Sequence, residues 1–297
     1  MSASVPPAAP AAATVTPYLV VKDAAAALAF YARAFGASET SRLTEPGGRI
    51  GHAEIRIGGA AVMLSDEYPE YGTRGPASLG GTPVTIHLDV PDVDAVAQRA
   101  VEAGARLLRP VEDQFYGDRS GRLEDPFGHV WVVSTRKEQL TPAELERRFE
   151  AFLQAGPAGA APATAPVPPI REGFHTVTPY LIVRGAEGLV DFVKKAFGAT
   201  ERFRGTGSAG GLHAEVRIGD SMVMIGGSQA MPSEMPATLY LYVPDVDAAY
   251  ARALEAGGTS ISPPTDHDYG DRGAGVKDPF GNAWYIATHK RDVAGGG

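Results

Sequence analysis

The sequence has no cysteine, which removes disulfide bridges, thiolate metal ligands and a cysteine nucleophile together. Any metal would have to be held by histidine nitrogen and carboxylate oxygen. Long apolar runs are missing too, since none approaches the roughly 18 residues of a membrane-spanning helix. Cations are outnumbered, 27 Lys and Arg against 35 Asp and Glu, giving a net charge of −8. With no basic stripe to offset phosphates, nucleic acid is not an expected partner. No Gly-x-Ser-x-Gly elbow and no phosphate-loop pattern occurs. Residues 1–13, mostly Ala and Pro, lack both the basic start and the leucine-type core of a signal peptide. They are expected to be a disordered tail on a cytoplasmic protein.

What the sequence does contain is itself, twice. Thr14–Leu19 (TVTPYL) recurs as Thr176–Leu181, and Ala34–Ala37 (AFGA) as Ala196–Ala199, both at an offset of 162. His52–Glu54 (HAE) returns as His213–Glu215 at offset 161. Val90–Asp94 (VPDVD), Tyr116–Arg119 (YGDR) and Asp125–Gly128 (DPFG) return as Val243–Asp247, Tyr269–Arg272 and Asp278–Gly281 at offset 153. Between Met63 and Val90 the second copy is therefore eight residues shorter, with the loss around Glu67–Leu79. Between the copies, residues 155–172 are rich in Ala, Gly and Pro and cannot bury a core, so they read as a semi-rigid linker. The expected domains are 14–154 and 173–291, with 292–297 a short tail, each copy folding on its own motif set.

Local patterns set the elements. In the first copy Val15–Val21 is strand-like, and Asp23 is an N-cap for a helix with Leu28, Tyr31 and Phe35 on one face and Gly36 at its end. Arg49–Ile57 and Ala60–Ser65 are strands joined by a Gly-Gly turn. Pro83–Val90 restarts the cycle, Asp92 caps a helix that turns Val93, Val96, Ala100 and Val101 inward, and the last strand is His129–Thr135. Thr141–Glu144 is a capping box opening an extra helix, Pro142–Gln154, that closes the first copy. The fold class is α+β, built of four βαβββ modules. Asp-Pro-Phe-Gly reads as a turn without chemistry, Trp131 and Trp284 as core, and His129 as a surface histidine.

This layout, with TPYL at the start of each copy, HAE mid-module and YGDR…DPFG near the end, resembles the vicinal oxygen chelate superfamily: glyoxalase I, bleomycin- and fosfomycin-resistance proteins and extradiol dioxygenases. The PhnB-like branch, duplicated in tandem, is the most similar. The resemblance covers 14–136 and 175–290 and implies two glyoxalase/bleomycin-resistance-type domains whose strands line a cup. It implies a protein that binds a small organic molecule in that cup, as an antibiotic-sequestering or resistance protein does. The chain would be a monomer resembling a covalent dimer, or a homodimer.

Metal-dependent members of that superfamily place His or Gln on the first strand of a module and Glu on the last. The matching positions here are Thr16, Thr85, Thr178 and Thr238, with Val132 and Tyr285 at the Glu positions. Neutral hydroxyls are poor ligands, so no cofactor is expected by the usual pattern. The alternative is a metal-dependent lyase, isomerase or dioxygenase holding Zn, Fe or Mn at a displaced site of His52, Glu54 and His87. Alternation along strands and the repeated motifs give the candidate ligand-binding residues: Tyr18, His52, Glu54, Thr85, His87, Tyr116, Arg119 and Glu124 in the first copy. From Tyr180 onward they are Tyr180, His213, Tyr240, Tyr242, Tyr269 and Arg272. The aromatic rings suit a flat cationic ligand, and Arg119 is the expected charged partner of His52.

Overall fold

The computed structural model describes residues 13–155, 167–207, 211–228 and 235–293. Most of the expected N-terminal tail and parts of the linker and of the C-terminal tail lie outside them. The first copy runs β1 (Thr14–Val21), α1 (Ala24–Phe35), β2 (Ser38–Thr44), β3 (Ile50–Ile57), β4 (Ala60–Asp66), α2 (Pro76–Leu79), β5 (Thr85–Asp89), α3 (Val93–Glu102), β6 (Arg106–Asp113), β7 (Asp118–Glu124), β8 (Val130–Arg136) and α4 (Pro142–Ala155). The second runs β9 (Val177–Val183), α5 (Ala186–Phe197), β10 (Thr200–Thr206), β11 (Leu212–Ile218), β12 (Ser221–Gly227), β13 (Thr238–Tyr242), α6 (Val246–Glu255), β14 (Thr259–Asp266), β15 (Asp271–Lys277) and β16 (Ala283–His289). The architecture is α+β with two eight-stranded sheets.

The helix starts follow the caps read from sequence. Asp23 accepts from Ala26 N at 2.9 Å, and Gly36 closes α1 in the left-handed region at φ 68°. Asp92 and Asp245 accept from Ala95 N and Ala248 N, each at 3.0 Å. The Thr141 hydroxyl accepts from Glu144 N at 3.3 Å at the start of α4. On α3, Val93, Val96 and Ala100 are buried as expected, but Val101 is 44% exposed. It lies just beyond the apolar stripe, whose width the spacing alone overestimated. Trp131 and Trp284 are fully buried core residues.

The chain forms two compact units, Pro17–Ile182 and Val183–Gly297, the latter with the segment up to Thr16. The first strand of each copy therefore straddles the division, and the copies do not fold purely on their own motif sets. In the first unit β9 pairs antiparallel with β5, extending the run β6-β7-β8-β5-β9, while β2-β3-β4-β1 forms the other run. In the second unit the runs are β14-β15-β16-β13 and β10-β11-β12. The start of β1 is tied there by Thr14 Oγ1 donating to Asp220 Oδ2 at 2.9 Å and Val15 N to Ser221 Oγ at 3.0 Å. An open strand edge takes whichever strand can satisfy its backbone groups, and sequence proximity does not decide which.

Candidate functional site

Residues directly opposite one another across a ladder put their side chains on the same face, so register assembles a site in the first unit. Arg109 is opposite Arg122, Arg122 opposite Val132, Val132 opposite His87, and His87 opposite Thr178. This row crosses five strands. On one side of it Thr85 lies opposite both Val130 and Tyr180; on the other Asp89 lies opposite Ser134 and Ser134 opposite Ser120. Helix α3 packs on the reverse face, where Val93 N donates to Thr135 Oγ1 at 2.8 Å. The row therefore lies on the face turned away from α3.

Among the described residues, four buried side-chain polar atoms have no hydrogen-bond partner: Thr85 Oγ1, Thr178 Oγ1, Arg122 Nε and His129 Nδ1. The first three belong to this one face. Beside them the His87 ring meets Tyr180 edge-on at 5.8 Å between centroids. The Tyr116 hydroxyl lies 3.2 Å from Ser120 Oγ, and burial pushes its pKa up. Phe115 next to it packs on Phe152 of α4 at 4.9 Å. Burial, and then the neighbouring Arg109 guanidinium, pull the Arg122 pKa down. Asp89 is pushed up to about 7 by burial and the Asp118 carboxylate, against the pull of Arg171 and Arg136.

The same face of the second copy has different chemistry. Tyr240 is opposite Tyr285, Tyr285 opposite Gly275, and Gly275 opposite Ser262. The row therefore reads Ser-Gly-Tyr-Tyr where the first copy reads Arg-Arg-Val-His. Tyr240 and Tyr242 rings lie 5.1 Å apart, and burial drives the Tyr240 hydroxyl pKa far up. Tyr242 Oη donates to Asp271 Oδ2 at 2.8 Å, and Asp271 Oδ1 is 2.8 Å from His289 Nδ1, raising the histidine pKa. Tyr269 is 57% exposed and stacks on His267 at 4.9 Å.

The remaining sequence candidates fall elsewhere. His52 lies 3.2 Å from Tyr18 Oη through Nδ1 and 3.3 Å from Glu54 Oε1 through Nε2, and this contact holds Glu54 below the usual carboxylate range. The corresponding His213 and Glu215 are 3.7 Å apart. His52 and Glu54 lie in a different eight-stranded sheet from His87, so the displaced three-residue metal site does not assemble. Arg119 is in the sheet of His87, not that of His52. It stands opposite Thr135, on the helix side, and forks onto Asp94 of α3 with two 2.8 Å contacts. Arg272 repeats this arrangement with Asp247, also at 2.8 Å twice. Glu124 pairs with Arg106 at 2.8 Å.

His129, expected at the surface, is fully buried: its Nε2 is 3.0 Å from the Val20 carbonyl, and burial pulls its pKa down. It belongs to a hub on Asp125, which accepts from Tyr31 Oη (2.8 Å), Trp131 Nε1 (2.9 Å), Phe127 N (2.9 Å) and His129 N (3.0 Å). The Asp-Pro-Phe-Gly turn thus anchors the core as well as reversing the chain. Arg122 and Arg109 went unrecognised in the sequence. Glu124 carried the signal, because counting back two along its strand reaches Arg122 on the same face.

The positions corresponding to metal ligands do not offer a suitable donor set. Thr85 and Thr178 present neutral hydroxyls, Val132 has no donor, and the row that contains Val132 carries the fixed positive charge of Arg122. No group of three or more His, Asp and Glu able to hold a metal ion occurs among the described residues.

A family model described as the Glyoxalase/Bleomycin resistance protein/Dioxygenase superfamily matches residues 12–133 and 173–286. An uncharacterized protein of Mycobacterium bovis is 47% identical over 135 residues, 44% of this chain and 89% of its own. The CFP32 protein of the same species is 25% identical over 271 residues, 89% of each chain. The crystal structure of glyoxalase I from Zea mays superimposes with a TM-score of 0.63 at 15% identity, covering 93% of each chain, a likeness of fold.

Proposed function

Since the chain belongs to the glyoxalase/bleomycin resistance protein/dioxygenase superfamily, we propose that it binds a small organic molecule on the Arg109-to-Thr178 row of its first copy. The observation that carries this reading is the cluster of unpartnered buried atoms Thr85 Oγ1, Thr178 Oγ1 and Arg122 Nε on one sheet face. Leaving a buried polar group unsatisfied costs about 1–3 kcal/mol, so three on one face are a standing penalty that a ligand bearing acceptors and hydroxyls would relieve once these side chains turn to meet it. His87 and Tyr180 supply a second polar edge and an aromatic wall, with Tyr116 on the far side. The second copy's Tyr240, Tyr242 and Tyr285 face suits a flat ring or serves as scaffold, and we assign it a separate role.

Sequestration of an antibiotic or a similar metabolite in the cytoplasm, by a monomer built like a covalent dimer, is the activity that fits. The repeated TPYL, YGDR and DPFG motifs favour the PhnB-like branch. The test needs no known ligand. Thr85→Val and Thr178→Val keep shape and remove the orphan hydroxyl, so each should stabilise the free protein by about 1 kcal/mol in urea unfolding. A thermal-shift screen of small organic molecules should then show hits on the wild type that both variants weaken. Variants that are destabilised, together with an empty screen, would refute the reading.

A further inference from the structure

The charge pattern of the row goes further than binding and, resting on that reading, names the ligand class. Arg109 and Arg122 are directly opposite on neighbouring antiparallel strands and share a face. Like charges placed so are unfavourable, and guanidinium cannot shed its proton to escape. Other described arginines are ion-paired, among them Arg42 with Glu39, Arg119 with Asp94, Arg148 with Glu138 and Arg272 with Asp247, or donate to a backbone carbonyl, as Arg56, Arg217 and Arg252 do. Neither Arg109 nor Arg122 has a carboxylate within ion-pair distance among the described residues, although Arg122 is half-buried and its Nε is shut off from water without a partner. The second copy has Ser262 and Gly275 at the same two positions, so the fold itself does not need the pair.

We infer that Arg109 and Arg122 form an anion subsite that takes a carboxylate or phosphonate group of the bound molecule. Two forked, fixed-charge donors side by side match the paired oxygens of such a group, each guanidinium donating charge-assisted hydrogen bonds to it. The anion cancels the repulsion between the two guanidinium groups across the strands. The rest of the molecule extends along the row over Val132 toward His87. The ligand is thus anionic at one end, in contrast to the cationic ring that the tyrosines of the chain suggest when they are considered without the arginines.

Titration calorimetry of the full chain with phenylphosphonate, benzoate and inorganic phosphate, against benzyl alcohol and benzyltrimethylammonium, decides it. At least one of the anions should bind one per chain and more tightly than either control. Arg122→Gln and Arg109→Gln should each weaken it tenfold or more, Arg122→Lys less, and Arg42→Gln, a surface charge change, not at all. Loss of the repulsion predicts that Arg122→Gln also raises the melting temperature of the free protein, so a misfolded variant is detected directly. Binding of the neutral or cationic probe with none of the anions, or anion binding that survives Arg122→Gln within twofold, overturns the anion subsite and leaves the binding reading intact. No binding of any probe overturns the anion subsite too; the binding reading falls with it only if Thr85→Val and Thr178→Val also fail to stabilise the protein.

Discussion

Replacing Asp89 by asparagine removes a carboxyl group that is carried to about pH 7 by burial and by the Asp118 carboxylate, with Arg171 and Arg136 pulling the other way. In the unfolded chain an aspartate titrates near 3.9, so between about pH 4 and pH 7 the folded state keeps a proton that the unfolded state has released. Stability therefore falls as pH rises through that window and is lowest above pH 7. Three pKa units at roughly 1.4 kcal/mol each set a ceiling of about 4 kcal/mol, and the half-buried position of Asp89 brings the expectation to about 2 kcal/mol. Asparagine fills the same space and does not titrate. Asp89→Asn should match the wild type at pH 4 and exceed it by about 2 kcal/mol at pH 8. Urea unfolding at four or five pH values measures the difference, in which titrating groups remote from Asp89 cancel. A difference that stays constant from pH 4 to pH 8, or that shrinks as pH rises, would refute the assignment of Asp89 as a buried, charge-crowded acid.

Asp125→Ala should cost about 4 kcal/mol, because it leaves the Tyr31, Trp131, Phe127 and His129 donors without their acceptor in a buried region; a loss below about 1 kcal/mol in urea unfolding would show that the hub is dispensable. A fragment spanning residues 17–183 contains β9 and should unfold cooperatively, whereas one ending at 155 leaves the β5 edge unpaired and should not; equal cooperativity would remove the case for strand exchange. Metal analysis after dialysis should find well under one divalent ion per chain, and a stoichiometric ion would contradict the donor-set argument built on Thr85, Thr178 and Val132. Once a ligand is identified, His87→Ala should weaken its binding at least tenfold and Tyr240→Ala much less; equal losses would make the two faces equivalent.

Part of the proposed site is legible in the sequence, and the residues missed have physical causes. Alternation along β5 separates Thr85 and His87 from its apolar face, the repeated TPYL motif points to Tyr180, and the register puts Thr85 and Tyr180 opposite each other. Arg119 stood out because its YGDR motif repeats, yet repetition marks a helix-strand fastener as readily as a ligand contact, and Asp94 claims it. Arg122 does not repeat, its counterpart being Gly275, so a search for motifs passes over the residue that differs between the copies. His129 was misplaced because one histidine beside a turn carries no local sign of burial.

The sequence by itself determined the duplication, the four modules, the capped helices and the buried faces of the strands. These depend on neighbours within a few residues, through period-2 and period-3.6 patterning and side-chain-to-backbone hydrogen bonds. Only the tertiary structure decided which strand edges meet, that His52 and His87 belong to different sheets, and that Arg122 rather than Arg119 joins the row. The physical reason is that edge pairing is long-range and register is all-or-none: a shift of one residue sends a side chain to the opposite face, and no local pattern records which edge a strand will join.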